Sequence, residues 1–120
     1  MKAYVDASPT KLCVLMEDGR KIIRDATRPH TNNEAEYLAV LVALREGADI
    51  VYSDSQLVVR QLSGEYKINK TELGVLAAKI WERVDADYQI CDGVYKLTCA
   101  GKVKFIWIPR EENPAGKVLG

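Results

Sequence analysis

His30-Thr31-Asn32-Asn33-Glu34-Ala35-Glu36-Tyr37-Leu38-Ala39-Val40-Leu41-Val42-Ala43-Leu44 is the stretch whose reading decides the fold. Thr31 stands where an N-cap belongs, and Glu34, three residues on, completes a capping box. Gly47 supplies the stop. Beyond Tyr37 the segment is apolar nearly all round, which predicts a buried helix rather than one laid on a surface. Glu36 breaks that pattern. It shares a face with Ala39 and Val40, three and four residues along. A carboxylate on a buried stripe must find a partner or change its pKa. A first-turn Glu is also favoured by the helix dipole, but Glu34 already fills that place.

Before this helix the chain reads as an antiparallel meander. Lys2 to Ser8 and Leu12 to Glu17 are strands separated by Pro9-Thr10. Asp18-Gly19 is a hairpin turn, and Lys21 to Ala26 is the third strand. After the helix, Asp49-Ile50-Val51-Tyr52-Ser53-Asp54 is a buried-looking strand. Ser55 to Leu62 is a short helix stopped by Ser63-Gly64. A strand, helix, strand order implies a crossover and a parallel pairing with an earlier strand. Asn69 and Glu72 form a second capping box, starting a helix with a stripe of Leu73, Leu76, Ala77, Ile80 and Val84. Over 85–101 the spacing of Ile90, Val94 and Leu97 suggests a helix that Gly93 interrupts, and no element is assigned there. Lys102 to Ile108 is the last strand, ended by Pro109. Asn113-Pro114 is an N-cap followed by Pro at the first helical position, so a brief final helix follows.

The 120 residues are expected to form one domain, 1–120, large enough for a core without staples. No apolar run reaches membrane-spanning length, and an acid at Asp6 interrupts any leader-like region at once. Cys13, Cys91 and Cys99 are an odd number without metal-ligand spacing, so reduced thiols in the cytoplasm are expected. His30 is the single histidine, which disfavours zinc sites and Ser-His catalysis. Acids and bases balance at 17 each, so any nucleic-acid face must be local.

Two strands end alike, Tyr4-Val5-Asp6-Ala7-Ser8 and Tyr52-Ser53-Asp54-Ser55. If they are parallel neighbours, Asp6 and Asp54 meet at the carboxyl edge, where open α/β sheets bind ligands. Glu36, one turn into its helix, can point to the same place. Three converging carboxylates repel unless cations lie between them. Oxygen-only ligation suits Mg²⁺, and two such ions ~4 Å apart can clamp the attacking and leaving oxygens of a phosphoryl displacement. Taken singly, each strand-end Asp also reads as a turn or cap residue.

Thr31-Asn32-Asn33-Glu34-Ala35-Glu36-Tyr37, Ser53-Asp54-Ser55-Gln56 and Pro109-Arg110-Glu111-Glu112-Asn113 together resemble the successive motifs of type 1 ribonuclease H. The resemblance runs from about Tyr4 to Leu119, except over 85–101. It implies an α/β ribonuclease H-like fold, a five-stranded mixed sheet of strand order 3-2-1-4-5 flanked by helices. It implies an endonuclease that hydrolyses the RNA strand of RNA/DNA hybrids with two Mg²⁺ ions, Mn²⁺ being a substitute. By resemblance Asp6, Glu36 and Asp54 are catalytic metal ligands. The substrate-binding positions are Thr31, Asn32, Asn33 and Gln56. Asn32 and Gln56 would read the minor groove and ribose hydroxyls, and Thr31 would hold a DNA phosphate. Amides both donate and accept, and a 2′-OH distinguishes RNA from DNA. The expected partner is a hybrid, with double-stranded RNA as a further candidate, and the expected state is a monomer without membrane contact.

The chain also departs from the family. A fourth acid is usual four residues after the position of Asn113, where this chain has Lys117. Asn113 is either a helix cap or a neutral amide oxygen for a metal, and Glu111 and Glu112 are the nearby alternatives. Ala7 stands where Gly is common, and Arg110-Glu111 where a histidine is common. A basic protrusion is missing, although Tyr66, Lys67 and Lys70 could meet the DNA strand. Two rival readings follow: a hybrid-binding module without efficient catalysis, and a ribonuclease H-like structural or interaction domain of a polymerase assembly.

Overall fold

The computed structural model describes residues 1–26 and 30–119. β1 (Lys2–Ala7), β2 (Lys11–Met16) and β3 (Lys21–Asp25) form the antiparallel meander. Gly19 turns β2 into β3 at φ +97°, a conformation that needs no Cβ. α1 (Asn32–Arg45) then crosses to β4 (Ile50–Ser53), which pairs parallel with β1 and places Val5 opposite Ser53. α2 (Gln56–Leu62) and α3 (Thr71–Arg83) follow. A hairpin of β5 (Asp87–Cys91) and β6 (Val94–Cys99) leads to β7 (Lys104–Trp107), which pairs parallel with β4. The five-stranded sheet has the order β3-β2-β1-β4-β7. This is the expected spatial order, the fifth strand being β7 because the hairpin forms a sheet of its own. A 3₁₀ turn at Arg110–Glu112 and α4 (Pro114–Leu119) end the described chain.

Alternation divides the sheet into two faces. Ala3, Val5, Val14, Met16 and Val51 are buried and form one core with α1, α2 and α3. α1 is enclosed almost all round, with Tyr37, Ala39, Val40 and Ala43 at 1 % exposure or less. That is what its unpatterned apolar sequence requires. Its cap forms as read: Thr31 Oγ1 accepts from Glu34 N at 3.1 Å, and Glu34 Oε1 accepts from Thr31 N at 3.2 Å. Gly47 follows the helix at φ +100°. On the second face Tyr4 and Tyr52 are register partners with rings stacked at 4.9 Å, and α4 packs on β1 and β2. Among the described residues no helix is long and apolar enough to cross a membrane.

Two expectations are corrected. The segment 85–101 is a β-hairpin, not an interrupted helix. Asp92 and Gly93 take φ of +52° and +77°, the two positive values of a tight hairpin turn. The Asp-Gly signal that marks Asp18-Gly19 recurs at Asp92-Gly93, and this turn chemistry outweighs the chance spacing of three apolar residues. The second capping box also does not form. α3 is capped at Lys70 without a side-chain bond, one residue later than expected. The amide of Asn69 is therefore not used as a cap.

The hairpin lies against α3 through Gly74, where a Cβ would meet the Tyr95 ring at 2.2 Å. Gly74→Ala should therefore destabilise the fold by about 1–3 kcal/mol in denaturant unfolding. In the double variant with Tyr95→Ala the cost should fall below the sum of the two singles. Strict additivity would mean that this contact is not what Gly74 serves.

Candidate active site

The parallel pairing of β1 and β4 puts two acids at one edge of the sheet. Asp6 lies near the end of β1, and Asp54 follows the last residue of β4. Glu36 reaches them from the second turn of α1. One carboxylate oxygen from each of the three lies within 4.8 Å of the others. Two hydrogen bonds hold Glu36 in the cluster. Glu36 Oε1 accepts from Ala7 N at 3.1 Å, and Ser53 Oγ donates to Glu36 Oε2 at 3.4 Å. Asp6 and Glu36 are buried, at 3 % and 6 % exposure.

The electrostatics are those of an uncompensated anionic cluster. Burial, followed by the charges of Asp6 and Asp54, pushes the Glu36 carboxyl up to about 8. Burial and the charge of Asp54 raise Asp6 as well. Among the described residues, the cationic side chain that reaches the cluster as an ion pair is Arg110, whose Nη1 stands 3.9 Å from Asp54 Oδ2 with its side chain 71 % exposed. Such a pair is screened by solvent and does little to offset two buried neighbours. An all-oxygen, anionic donor set that, among the described residues, has only an exposed guanidinium opposite it fits a hard divalent cation.

Asn113 is fully buried, and of its two readings, helix cap or oxygen donor to a metal, its hydrogen bonds form the cap. Its Oδ1 accepts from Ala115 N at 3.1 Å and so caps α4. Its Nδ2 donates to Val5 O at 2.9 Å and to Asp54 Oδ2 at 3.0 Å. A flipped amide would set its oxygen against a carbonyl and a carboxylate, so the hydrogen bonds fix the assignment. Asn113 therefore orients Asp54. Glu111 and Glu112 are exposed on the 3₁₀ turn, and among the described residues the carboxylate group consists of Asp6, Glu36 and Asp54.

One site residue has no signal in the sequence. Gly116 faces the acids: a Cβ there would stand 3.5 Å from Asp6 Oδ2 and 3.7 Å from Asp54 Oδ2, ordinary contact distances. Counting from the family motif points to Lys117, which is exposed. The residue that α4 turns toward the cluster is the preceding glycine.

The polar positions divide into two groups. Asn33, Lys67, Asn69 and Lys70 line a groove of about 310 Å³ with Leu57, Gln61 and Leu73, between the first turns of α1 and α2 and the start of α3. Asn32 and Gln56 are exposed at the first positions of α1 and α2. Thr31 is exposed, and its hydroxyl oxygen is engaged in the cap while its O–H remains a donor. Tyr66 does not line the groove. Its hydroxyl accepts from Arg60 Nη1 at 2.7 Å, and the guanidinium carbon lies 5.5 Å from its ring centre.

The raised Glu36 pKa makes the cation-free fold pH-dependent. Between the ordinary value of 4.5 and about 8 the folded protein holds a proton that the unfolded chain releases. The stability linked to this group is thus complete below 4.5 and is lost as pH rises toward 8. Glu36→Gln removes that term. In chelator, the variant's thermal midpoint relative to the parent should rise between pH 5 and pH 8. An unchanged difference across that range would mean that Glu36 titrates normally.

No protein-family model matches the sequence. Solved structures do match it. RNase H1 from the halophilic archaeon Halobacterium salinarum NRC-1 aligns at a TM-score of 0.68 with 24% identity, over 98% of this chain and 92% of that one. LC11-RNase H1, isolated from compost by a metagenomic approach, aligns at 0.68 with 28% identity, over 98% of this chain and 90% of that one. The same enzyme in complex with an RNA/DNA hybrid aligns at 0.69 with 24% identity, over 99% of both chains. The five-stranded mixed sheet, its strand order and the flanking helices are those of the ribonuclease H fold, and the likeness to type 1 ribonucleases H that the motifs carry extends over nearly the whole chain.

Proposed function

We propose that this protein is a ribonuclease H, an endonuclease that hydrolyses the RNA strand of RNA/DNA hybrids with divalent cations. The observation that carries this reading is the convergence of Asp6, Glu36 and Asp54 from three different elements at the carboxyl edge of β1 and β4. The neighbour solved with a hybrid supports the choice of substrate. Asp6, Glu36 and Asp54 would hold two cations, Mg²⁺ or Mn²⁺. The chemistry such ions supply when bound is activation of the attacking water and neutralisation of charge on the phosphate.

The remaining work falls to the chain. Asn113 keeps the Asp54 carboxylate turned into the cluster through Nδ2. Asn32 and Gln56, exposed at two helix starts, would meet base edges and ribose hydroxyls in the shallow groove of the hybrid. Thr31, Lys67 and the groove lined by Asn33, Asn69 and Lys70 suit the phosphates of the DNA strand. Tyr66, braced by Arg60 and exposed, offers an aromatic ring to the same strand. A single domain spanning 1–120 and acting as a monomer is part of the proposal.

Cleavage of a labelled hybrid tests it. Asp6→Asn, Glu36→Gln and Asp54→Asn should each lower the rate by about 10²-fold or more, the scale of losing a group aimed at the reacting phosphate, while each variant still folds. Wild-type turnover in Glu36→Gln would leave that residue a helix-start acid and remove the proposed centre. Binding of the hybrid without metal-dependent cleavage would instead support the binding-module reading.

The glycine at 116 sets a second expectation. Three carboxylates bring three negative charges, and the scissile phosphate about one more, so two divalent ions are balanced only with substrate bound. Cleavage should require high Mg²⁺ and improve with Mn²⁺, which accepts looser ligand sets. Gly116→Asp adds the missing charge where a Cβ already fits and should lower the Mg²⁺ concentration for half-maximal cleavage. Lys117→Asp should do so less. The reverse order would place the fourth position at 117, as the motif count suggests.

A further inference from the structure

Asp54 is the one member of the acidic cluster outside a regular element, lying between the last residue of β4 and Ser55, the N-cap of α2. Its position must be fixed by neighbours rather than by a strand ladder or a helix. The structure supplies two anchors, both from the stretch that runs from β7 into α4. Asn113 Nδ2 grips the carboxylate at 3.0 Å. At the other end of the residue, Trp107 Nε1 donates to the Asp54 carbonyl oxygen at 3.1 Å.

The place of Trp107 is not explained by packing. The chain has two tryptophans. Trp81 is fully buried, with its Nε1 donating to Leu62 O at 3.1 Å. Trp107 is 41 % exposed, so much of the gain from burying an indole is forgone. In the ladder it is the register partner of Ser53. From there its ring reaches one residue further along β4's path, to a carbonyl that the strand-to-helix turn leaves without a ladder partner.

We propose that Trp107 is a positioning residue for the cation centre. By holding the Asp54 carbonyl while Asn113 holds its carboxylate, it fixes the orientation that Asp54 presents to Asp6 and Glu36. This rests on the function proposed above. Arg110, between the two anchors in sequence, reaches the same carboxylate at 3.9 Å. Trp107, Arg110 and Asn113 thus all reach the same acid.

The test is Trp107→Phe, which keeps an aromatic ring and removes the N–H. Mn²⁺ binding is measured by calorimetry, and cleavage of a hybrid by steady-state kinetics. Thermal unfolding in chelator is followed alongside. The Mn²⁺ dissociation constant should rise about five-fold, the scale of one lost neutral hydrogen bond. The kcat at a fixed, sub-saturating Mn²⁺ concentration should fall by a similar factor. The KM for hybrid and the thermal midpoint in chelator should stay near those of the parent. Parental cation affinity and kcat in the variant would overturn the proposal. So would a loss of affinity that tracks a loss of folded structure, since Trp107 would then be serving stability alone. If the parent itself binds no Mn²⁺, the function proposed above fails and this inference fails with it. Parental binding that Trp107→Phe does not alter removes this inference alone.

Discussion

Mutual repulsion among three carboxylates, two of them buried, is the constraint on which this structure turns. Asp6, Glu36 and Asp54 stand within reach of one another, and burial favours the neutral forms of Asp6 and Glu36. Nothing in the apolar core needs them there. They are kept together by the backbone. The parallel pairing of β1 with β4 fixes two of them, and the cap at Thr31 fixes where α1 begins and so where Glu36 points. A fold that holds like charges together at the mouth of a sheet has placed strain where ligands bind in α/β proteins.

The surrounding elements act on that cluster in different ways. α1 supplies an acid at one end and a nearly all-apolar body that anchors it in the core. The turn after β7 supplies no acid. Its contributions are an amide and an exposed guanidinium directed at Asp54, beside the indole N–H of Trp107 at the end of β7. α4, capped by the same Asn113, brings a glycine against the two aspartates instead of a fourth carboxylate. The outcome is a cluster of three carboxylates, one fewer than the resemblance to the family implies.

Much of this was legible in the sequence because local chemistry and tertiary need agree there. Thr31 and Glu34 specify a helix start on their own, and the alternation and turn residues of the first 26 positions leave one arrangement of strands. The strand, helix, strand order carried the parallel pairing, and the like endings of β1 and β4 then brought two of the three acids together. What escaped was set by three-dimensional contact. Gly116 has no side chain to reveal that it faces the cluster. The two nitrogen-to-oxygen bonds of Asn113 depend on residues 59 and 108 positions away. Trp107 reads as a strand aromatic until the ladder shows Asp54 beside it. The hairpin within 85–101 escapes assignment from the sequence because the apolar spacing and the Asp92-Gly93 turn point to different elements, and the turn chemistry is the one the structure follows.

The central claim, that the three acids form a cation centre, is tested most directly by crystals grown or soaked with Mn²⁺ and measured at its absorption edge. The account predicts an anomalous peak between Asp6, Glu36 and Asp54, with Asn113 Nδ2 still on Asp54 and no metal on its amide oxygen. Ordered acids at saturating Mn²⁺ with no peak among them would contradict it.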